Sequence, residues 1–196
     1  MLDRDTKKGG RRPHKGQQAM AEWVCVDVIE GESPSAEVTA FLDREWAGFL
    51  AEAFWGSGIE TVSFDDEPLP PEPQPPKPPA CGQDYALGRF HLVARAGADA
   101  RGSEVVGVGS VAVDGGVATL QELIVGAEAR GRGIGTRILA AFEEEARRRG
   151  CHKLVVRTLA DTRQERFYRH RGFYPEARLR CDQFHRDWVL LARFLS

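Results

Sequence analysis

The sequence predicts an α+β fold, a single mixed and mostly antiparallel central sheet flanked by helices. Three observations predict it. Short β-branched segments follow one another between residues 88 and 125, with a tight-turn signal at Asp114-Gly115-Gly116. One strongly amphipathic helix, 133–149, stands between a glycine-dense turn and Gly150. The elements run strand, helix, strands, helix, strand, helix, strands, which gives one mixed layer without repeating βαβ units.

The elements follow in order. Residues 22–29 (EWVCVDVI) alternate and are β-branched, so a strand is expected. Ser33 or Ser35 can cap a following helix, whose apolar stripe is Phe41, Leu42, Trp46, Phe49, Leu50 and Phe54. The stripe reads as core, with Trp55 and the Gly56–Gly58 break expected to face a cleft. Residues 65–80 carry eight of the eleven prolines, and their missing N–H groups exclude helix and internal strand. An extended, polyproline II-like insertion loop is expected there. Segments 88–95, 104–113 and 117–125 read as strands, the last two joined by the Asp-Gly turn. On helix 133–149, Ile134, Ile138, Ala141 and Phe142 share one face. Its back sets Glu143, Glu144 and Glu145 four residues ahead of Arg147, Arg148 and Arg149. A strand at 152–158, a short helix at 162–171 ended by Gly172, and strands at 173–181 and 184–194 complete the chain. Either Asp161 with Gln164 or Thr162 with Glu165 forms a capping box for that short helix.

Composition limits the function. The chain has 196 residues, 42% of them apolar, and a formal net charge of −2. That length suits one domain, 20–196, with the Pro-rich insertion at 65–80 and a basic tail at 1–19 expected to be disordered. The near-neutral balance argues against a nucleic-acid partner, and Lys7, Lys8, Arg11, Arg12 and Lys15 read as a solvated tail. Cys25, Cys81, Cys151 and Cys181 are widely spread, so neither a zinc ribbon nor a redox pair is indicated and no metal is expected. Reduced thiols, no signal peptide and no membrane-spanning run together lead to the expectation of a soluble cytoplasmic protein.

The chemistry concentrates at Ile124-Val125-Gly126-Ala127-Glu128-Ala129-Arg130-Gly131-Arg132-Gly133-Ile134-Gly135-Thr136. A strand enters a glycine-dense turn that passes straight into a helix. The first helical N–H groups have no intrahelical acceptors, and the helix dipole adds partial positive charge to them. Three alternating glycines let a ligand approach the backbone, and Arg130, Arg132 and Arg137 add full charges. The site is built for an anion, best a pyrophosphate. A Walker A loop would need a Gly-Lys-Ser/Thr that is missing, and the spacing is not Gly-x-Gly-x-x-Gly.

With those residues in view, the sequence resembles the GNAT superfamily of acyl-CoA-dependent N-acyltransferases. Arg130-Gly131-Arg132-Gly133-Ile134-Gly135 fits that family's Arg/Gln-x-x-Gly-x-Gly/Ala motif. Phe167-Tyr168-Arg169-His170-Arg171-Gly172-Phe173 looks like its Phe-Tyr-x-x-x-Gly-Phe at the end of the next helix. The resemblance covers residues 88–194 and, more loosely, 22–60.

The resemblance implies a strand that splays from its neighbour, with the pantetheine arm of acetyl-CoA in the gap against the backbone of Leu123, Ile124 and Val125. It implies that the pyrophosphate takes N–H groups from Gly131, Arg132, Gly133, Ile134, Gly135 and Thr136. Acetyl transfer is then direct, within a ternary complex, to an amine of a small molecule or peptide, by a monomer or homodimer. Two proton movements accompany it. Tyr168 matches the family tyrosine near the sulfur and is the candidate acid. Glu122 is the candidate base: on strand 117–125 it should share a face with Leu120 and Ile124, and burial there should raise its pKa. Where the family often has an asparagine, this chain has Asp161, which capping accounts for. His91 and His185 lie on predicted strands and read as satisfied core or surface histidines rather than as a base. A non-catalytic acyl-CoA-binding or protein-interaction module using the Pro-rich insert is the alternative.

Overall fold

The computed structural model describes residues 24–50, 87–97 and 103–195, except for the side chains of Phe49 and Leu50. The readings of the basic tail, the Pro-rich insert, Phe54, Trp55, Gly56–Gly58 and Cys81 lie outside the described residues. Among the described residues seven strands form one sheet: β1 (Val24–Glu30), β2 (Gly88–Ala96), β3 (Glu104–Asp114), β4 (Val117–Val125), β5 (Lys153–Leu159), β6 (Tyr174–Leu179) and β7 (Trp188–Phe194). Three helices, α1 (Ala36–Leu50), α2 (Ile134–Arg148) and α3 (Arg163–Arg169), join them. The strand order is β1-β2-β3-β4-β5-β7-β6, and only β4 and β5 run parallel. The mixed, mostly antiparallel sheet expected from the sequence is the one found.

Local chemistry accounts for the boundaries. The Ser35 hydroxyl accepts the N–H of Val38 and starts α1. The β3–β4 hairpin closes on a two-residue loop in which Gly115 (φ 56°) and Gly116 (φ 78°) are both left-handed, so the turn residues are Gly-Gly and Asp114 still pairs with Val117. Helix α3 is capped by Thr162, whose Oγ1 accepts the Glu165 N–H at 3.4 Å. Asp161 does not cap it: its carboxylate takes the Arg178 guanidinium at 2.7 Å. The last strand begins at Trp188 rather than 184, because Phe184 and His185 both stand at left-handed φ (56° and 55°).

The sheet separates two apolar layers. Helix α2 lays Ile134, Ile138, Leu139, Phe142 and Ala146 over Leu92, Ala118, Leu120, Leu154 and Val156, and Tyr168 and Phe173 join that layer. Helix α1 covers the opposite face, placing Val38, Phe41 and Leu42 on Val93, Val105, Val108 and Ile124. Close approach of α2 needs the two glycines of β3: a Cβ at Gly107 would sit 2.9 Å from Ile138 Cδ1, and one at Gly109 3.0 Å from Ile138 Cγ2. On the back of α2, Arg147 pairs with Glu143 and Arg149 with Glu145, each at 2.6 Å. Arg148 turns instead to Glu145 (2.5 Å), one residue nearer than the expected Glu144. Glu145 thereby holds two guanidiniums while buried, which keeps its carboxyl below the ordinary carboxylate value.

Candidate active site

The two parallel strands part company halfway. β4 pairs with β5 only from Val117↔Lys153 to Leu120↔Val156; beyond Leu120 it keeps β3 alone. The break coincides with a bulge. Val111 opposes Leu120 and Ser110 opposes Glu122, so Gln121 has no partner of its own on β3. A bulge bends a strand and sharpens its twist, and this one turns the C-terminal half of β4 out of register with β5. The edge facing the gap is therefore the backbone of 121–125, which includes Leu123, Ile124 and Val125. Arg130 Nε already donates to the Val125 carbonyl at 3.1 Å.

The bulge overturns one expectation. Without it Leu120, Glu122 and Ile124 would lie on one face. With it, Leu120 stays under α2, whereas Glu122 and Ile124 pass to the α1 face, paired with Ser110 and Val108. Glu122 is half-buried there rather than enclosed among apolar side chains.

At the end of β4 the chain makes one 3₁₀ turn, Ala127–Ala129, then the glycine loop. Gly126 N–H bonds the Val106 carbonyl at 3.0 Å, and the Glu45 carboxylate of α1 accepts the Ala127 N–H at 3.2 Å, which fixes the loop's entry. Gly131 (φ 75°) and Gly133 (φ 79°) are both left-handed, and Gly133 is the N-cap of α2 with no side-chain cap. The first helical bond is Arg137 N–H to the Gly133 carbonyl, so the N–H groups of Ile134, Gly135 and Thr136 precede the helical ladder. A Cβ at Gly131 or Gly133 would meet nothing within 4 Å. The backbone is thus bare and approachable, as the close seating of an anion requires. Arg132 is exposed beside it. Arg137, in contrast, reaches away and donates to the Val24 carbonyl at 3.1 Å.

Helix α3 docks against this corner. Phe167 lies 3.4 Å from where a Gly135 Cβ would stand. Arg171 stacks on the Phe167 ring at 3.8 Å and donates to the Thr136 hydroxyl at 2.5 Å. Its Nε is buried without a partner among the described residues. The sequence reading missed Arg171; only its place inside the Phe-Tyr-x-x-x-Gly-Phe run hinted at it. Tyr168 is packed edge-on between Phe167 (5.1 Å) and Phe173 (5.8 Å). Burial pushes its phenol far above the ordinary value, so it keeps its proton throughout the physiological range.

On the α1 face, Ser110 Oγ donates to Glu122 Oε2 at 3.1 Å and lies 3.2 Å from His91 Nδ1. His91 is only 6% exposed, and its Nε2 has no partner among the described residues, so it is not the satisfied strand histidine expected. His185 is exposed, 3.9 Å from Cys181 Sγ. A concavity of about 350 Å³ lies elsewhere, between α3 and the β6–β7 hairpin. Its ionic lining is already matched, Asp161 to Arg178 and Glu165 to Arg169. Among the described residues no three His, Cys, Asp or Glu side chains gather as a metal site.

Comparison with known proteins agrees with this geometry. The model of the acetyltransferase (GNAT) family matches residues 59–173. Glucosamine 6-phosphate N-acetyltransferase 1 of Oryza sativa subsp. japonica is 38% identical over 78 residues, 36% of this chain and 47% of the relative. The alignment with that curated relative thus spans about half its length. The same fold is seen in a provisionally assigned acyl-CoA N-acyltransferase from Klebsiella pneumoniae (TM-score 0.56, 19% identity, 87% of this chain and 98% of that one). It is seen again in an IAA acetyltransferase from Bacillus cereus (TM-score 0.54, 17% identity, 88% and 100%).

Proposed function

The chain belongs to the acetyltransferase (GNAT) family, and on that premise we propose that it moves an acetyl group directly from acetyl-CoA to a primary amine of a small molecule or peptide. The observation that supports this most is the parting of β4 from β5 after Leu120 and Val156, next to an uncapped, glycine-lined helix start. The two features together offer a slot for an extended arm and a cradle for its diphosphate. Leu123, Ile124 and Val125 would bind the arm through their backbone. Gly131 to Thr136 would bind the diphosphate through N–H groups, with Arg132 and Arg171 adding charge.

In the reaction an ammonium first loses a proton to Glu122, directly or through water. The free amine attacks the thioester carbon, the C–S bond breaks, and the second amine proton is lost. One proton ends on the CoA sulfur and one in solvent. Because Tyr168 holds its proton so tightly, its contribution is a hydrogen bond to the leaving sulfur more than full transfer. The rice relative's name places glucosamine 6-phosphate first among acceptors to try. A cytoplasmic setting and a monomeric or homodimeric state are part of the same proposal.

The test is thiol release from acetyl-CoA with a panel of amino sugars, polyamines and peptide N-termini. Turnover with at least one amine is expected, and Glu122→Gln should slow it by about 100-fold, the usual contribution of a general base. Tight CoA binding with silence across the panel would favour the non-catalytic module.

A further inference from the structure

A polar row crosses the sheet and ends at the gap. Ile29, His91, Ser110 and Glu122 are successive cross-strand partners on β1 to β4, all on the α1 face. The direction of the hydrogen bonds along it is determined. An ionised carboxylate only accepts, so the single Ser110 proton is committed to Glu122 Oε2. The Ser110 oxygen is then left to accept, and His91 Nδ1, 3.2 Å away, must carry the proton. The consequence is a bare lone pair on Nε2, buried and unpartnered among the described residues. An orphaned buried nitrogen costs stability.

We propose that His91 is a positioning residue for acetyl transfer: as the Nδ1–H tautomer it fixes Ser110 as a one-way donor to Glu122, holding one carboxylate oxygen still and leaving the other to the acceptor amine. This rests on the reading of Glu122 as the base. No proton passes to His91; it travels from ammonium to Glu122 and on to solvent. Burial lowers the His91 pKa, Arg89 lowers it further and Glu122 opposes both. Those are the charged groups that act on it. From β1 its partner is Ile29, Asp27 is engaged by Arg95, and α1 presents Val38, Phe41 and Leu42 to this face. The imidazole therefore stays neutral near pH 7, and Ser110 never has to reverse.

The experiment uses the full chain. Nitrogen-15 NMR of the imidazoles, with His91 assigned by its loss in His91→Gln, should show Nδ1–H and bare Nε2 at neutral pH. Ser110→Ala should release that tautomer, and Glu122→Gln should move the His91 titration to lower pH. In acetyl-CoA turnover, with the panel amine that releases thiol or with water alone, Ser110→Ala and His91→Gln should each cut kcat roughly tenfold. The KM for acetyl-CoA should hold, the acid limb of the pH profile should move to higher pH, and the double variant should be no slower than either single one. Should His91→Gln fail to fold, Ser110→Ala carries the same readouts. A His91 titration indifferent to Glu122→Gln overturns the coupling. Slow Glu122→Gln beside unimpaired Ser110→Ala and His91→Gln overturns the positioning role alone, whereas wild-type turnover in Glu122→Gln removes the base assignment itself.

Discussion

Leu120 and Val156 are the last residues through which β4 and β5 pair, and the unpaired Gln121 bulge follows directly. One extra residue does two things. It opens a backbone edge toward β5, and it transfers Glu122 from the α2 face to the α1 face. The β4–β5 gap and the placement of the candidate base are thus consequences of the same local irregularity, and the glycine loop follows at the end of β4.

Gly133 is where the anion reading is most exposed to test. At φ 79° any side chain is strained, and a Cβ projects into open space in front of the helix start. Gly133→Val should cost about 1–2 kcal/mol of stability from the left-handed conformation. Its affinity for CoA, measured by calorimetry, should fall by far more than that strain explains, at least about 100-fold. Unchanged affinity would take the diphosphate away from this loop.

Arg171 ties the start of α2 to the last turn of α3, through the Thr136 hydroxyl and the Phe167 ring. Arg171→Lys keeps the charge but loses the planar fork and the stack. We expect CoA affinity to drop several-fold and its salt dependence to persist, while Arg171→Ala loses both. Binding curves at low and high salt check this; equal affinity in all three proteins would confine Arg171 to packing.

The glycine loop and the Asp114-Gly115-Gly116 turn were legible in the sequence because each is a local demand on φ, whereas for the caps of α1 and α3 the sequence offered Ser33 or Ser35 and Asp161 or Thr162, and the structure selects Ser35 and Thr162. The faces of Leu120, Glu122 and Ile124 were not legible. Strict alternation was the only rule available, and it fails at Gln121 for a reason that lies on β3, in the register of Ser110 and Val111. The Arg171–Thr136 bond, spanning 35 residues, and the orphaned Nε2 of His91 are likewise properties of assembled elements. That Arg148 pairs with the buried Glu145, which also holds Arg149, and not with the exposed Glu144 is equally beyond an i,i+4 count.

Tyr168 separates packing from chemistry cleanly. Its ring is held by Phe167 and Phe173, and Phe at this position preserves both contacts. Tyr168→Phe should therefore unfold within about 1 kcal/mol of the wild type and bind CoA equally well. If the hydroxyl supports the departing sulfur, kcat should fall about 10- to 100-fold. Turnover at the wild-type rate would leave Tyr168 as a core residue only.

Glu165 gives a pH dependence whose sign runs against that of Glu37, Glu145 and Asp187. Burial holds its carboxyl above the ordinary value of 4.5, while the Asp161 N–H and the Arg169 guanidinium pull it down without prevailing. Between the ordinary value and the raised one, the folded chain keeps a proton that the unfolded chain has released. By linkage, its contribution to stability is complete below the ordinary value and is lost as pH rises through the folded one. Glu37 and Glu145, held low by their arginines, and Asp187, held low first by the Cys181 N–H and then by Arg178, have the opposite trend. The comparison must therefore be with Glu165→Gln, which still accepts the Asp161 N–H but does not titrate. Thermal unfolding of the two proteins from about pH 4 to about pH 7 should show the wild type losing stability relative to the variant as pH rises. A constant or widening wild-type advantage would mean that the capping bonds, not burial, govern this carboxyl.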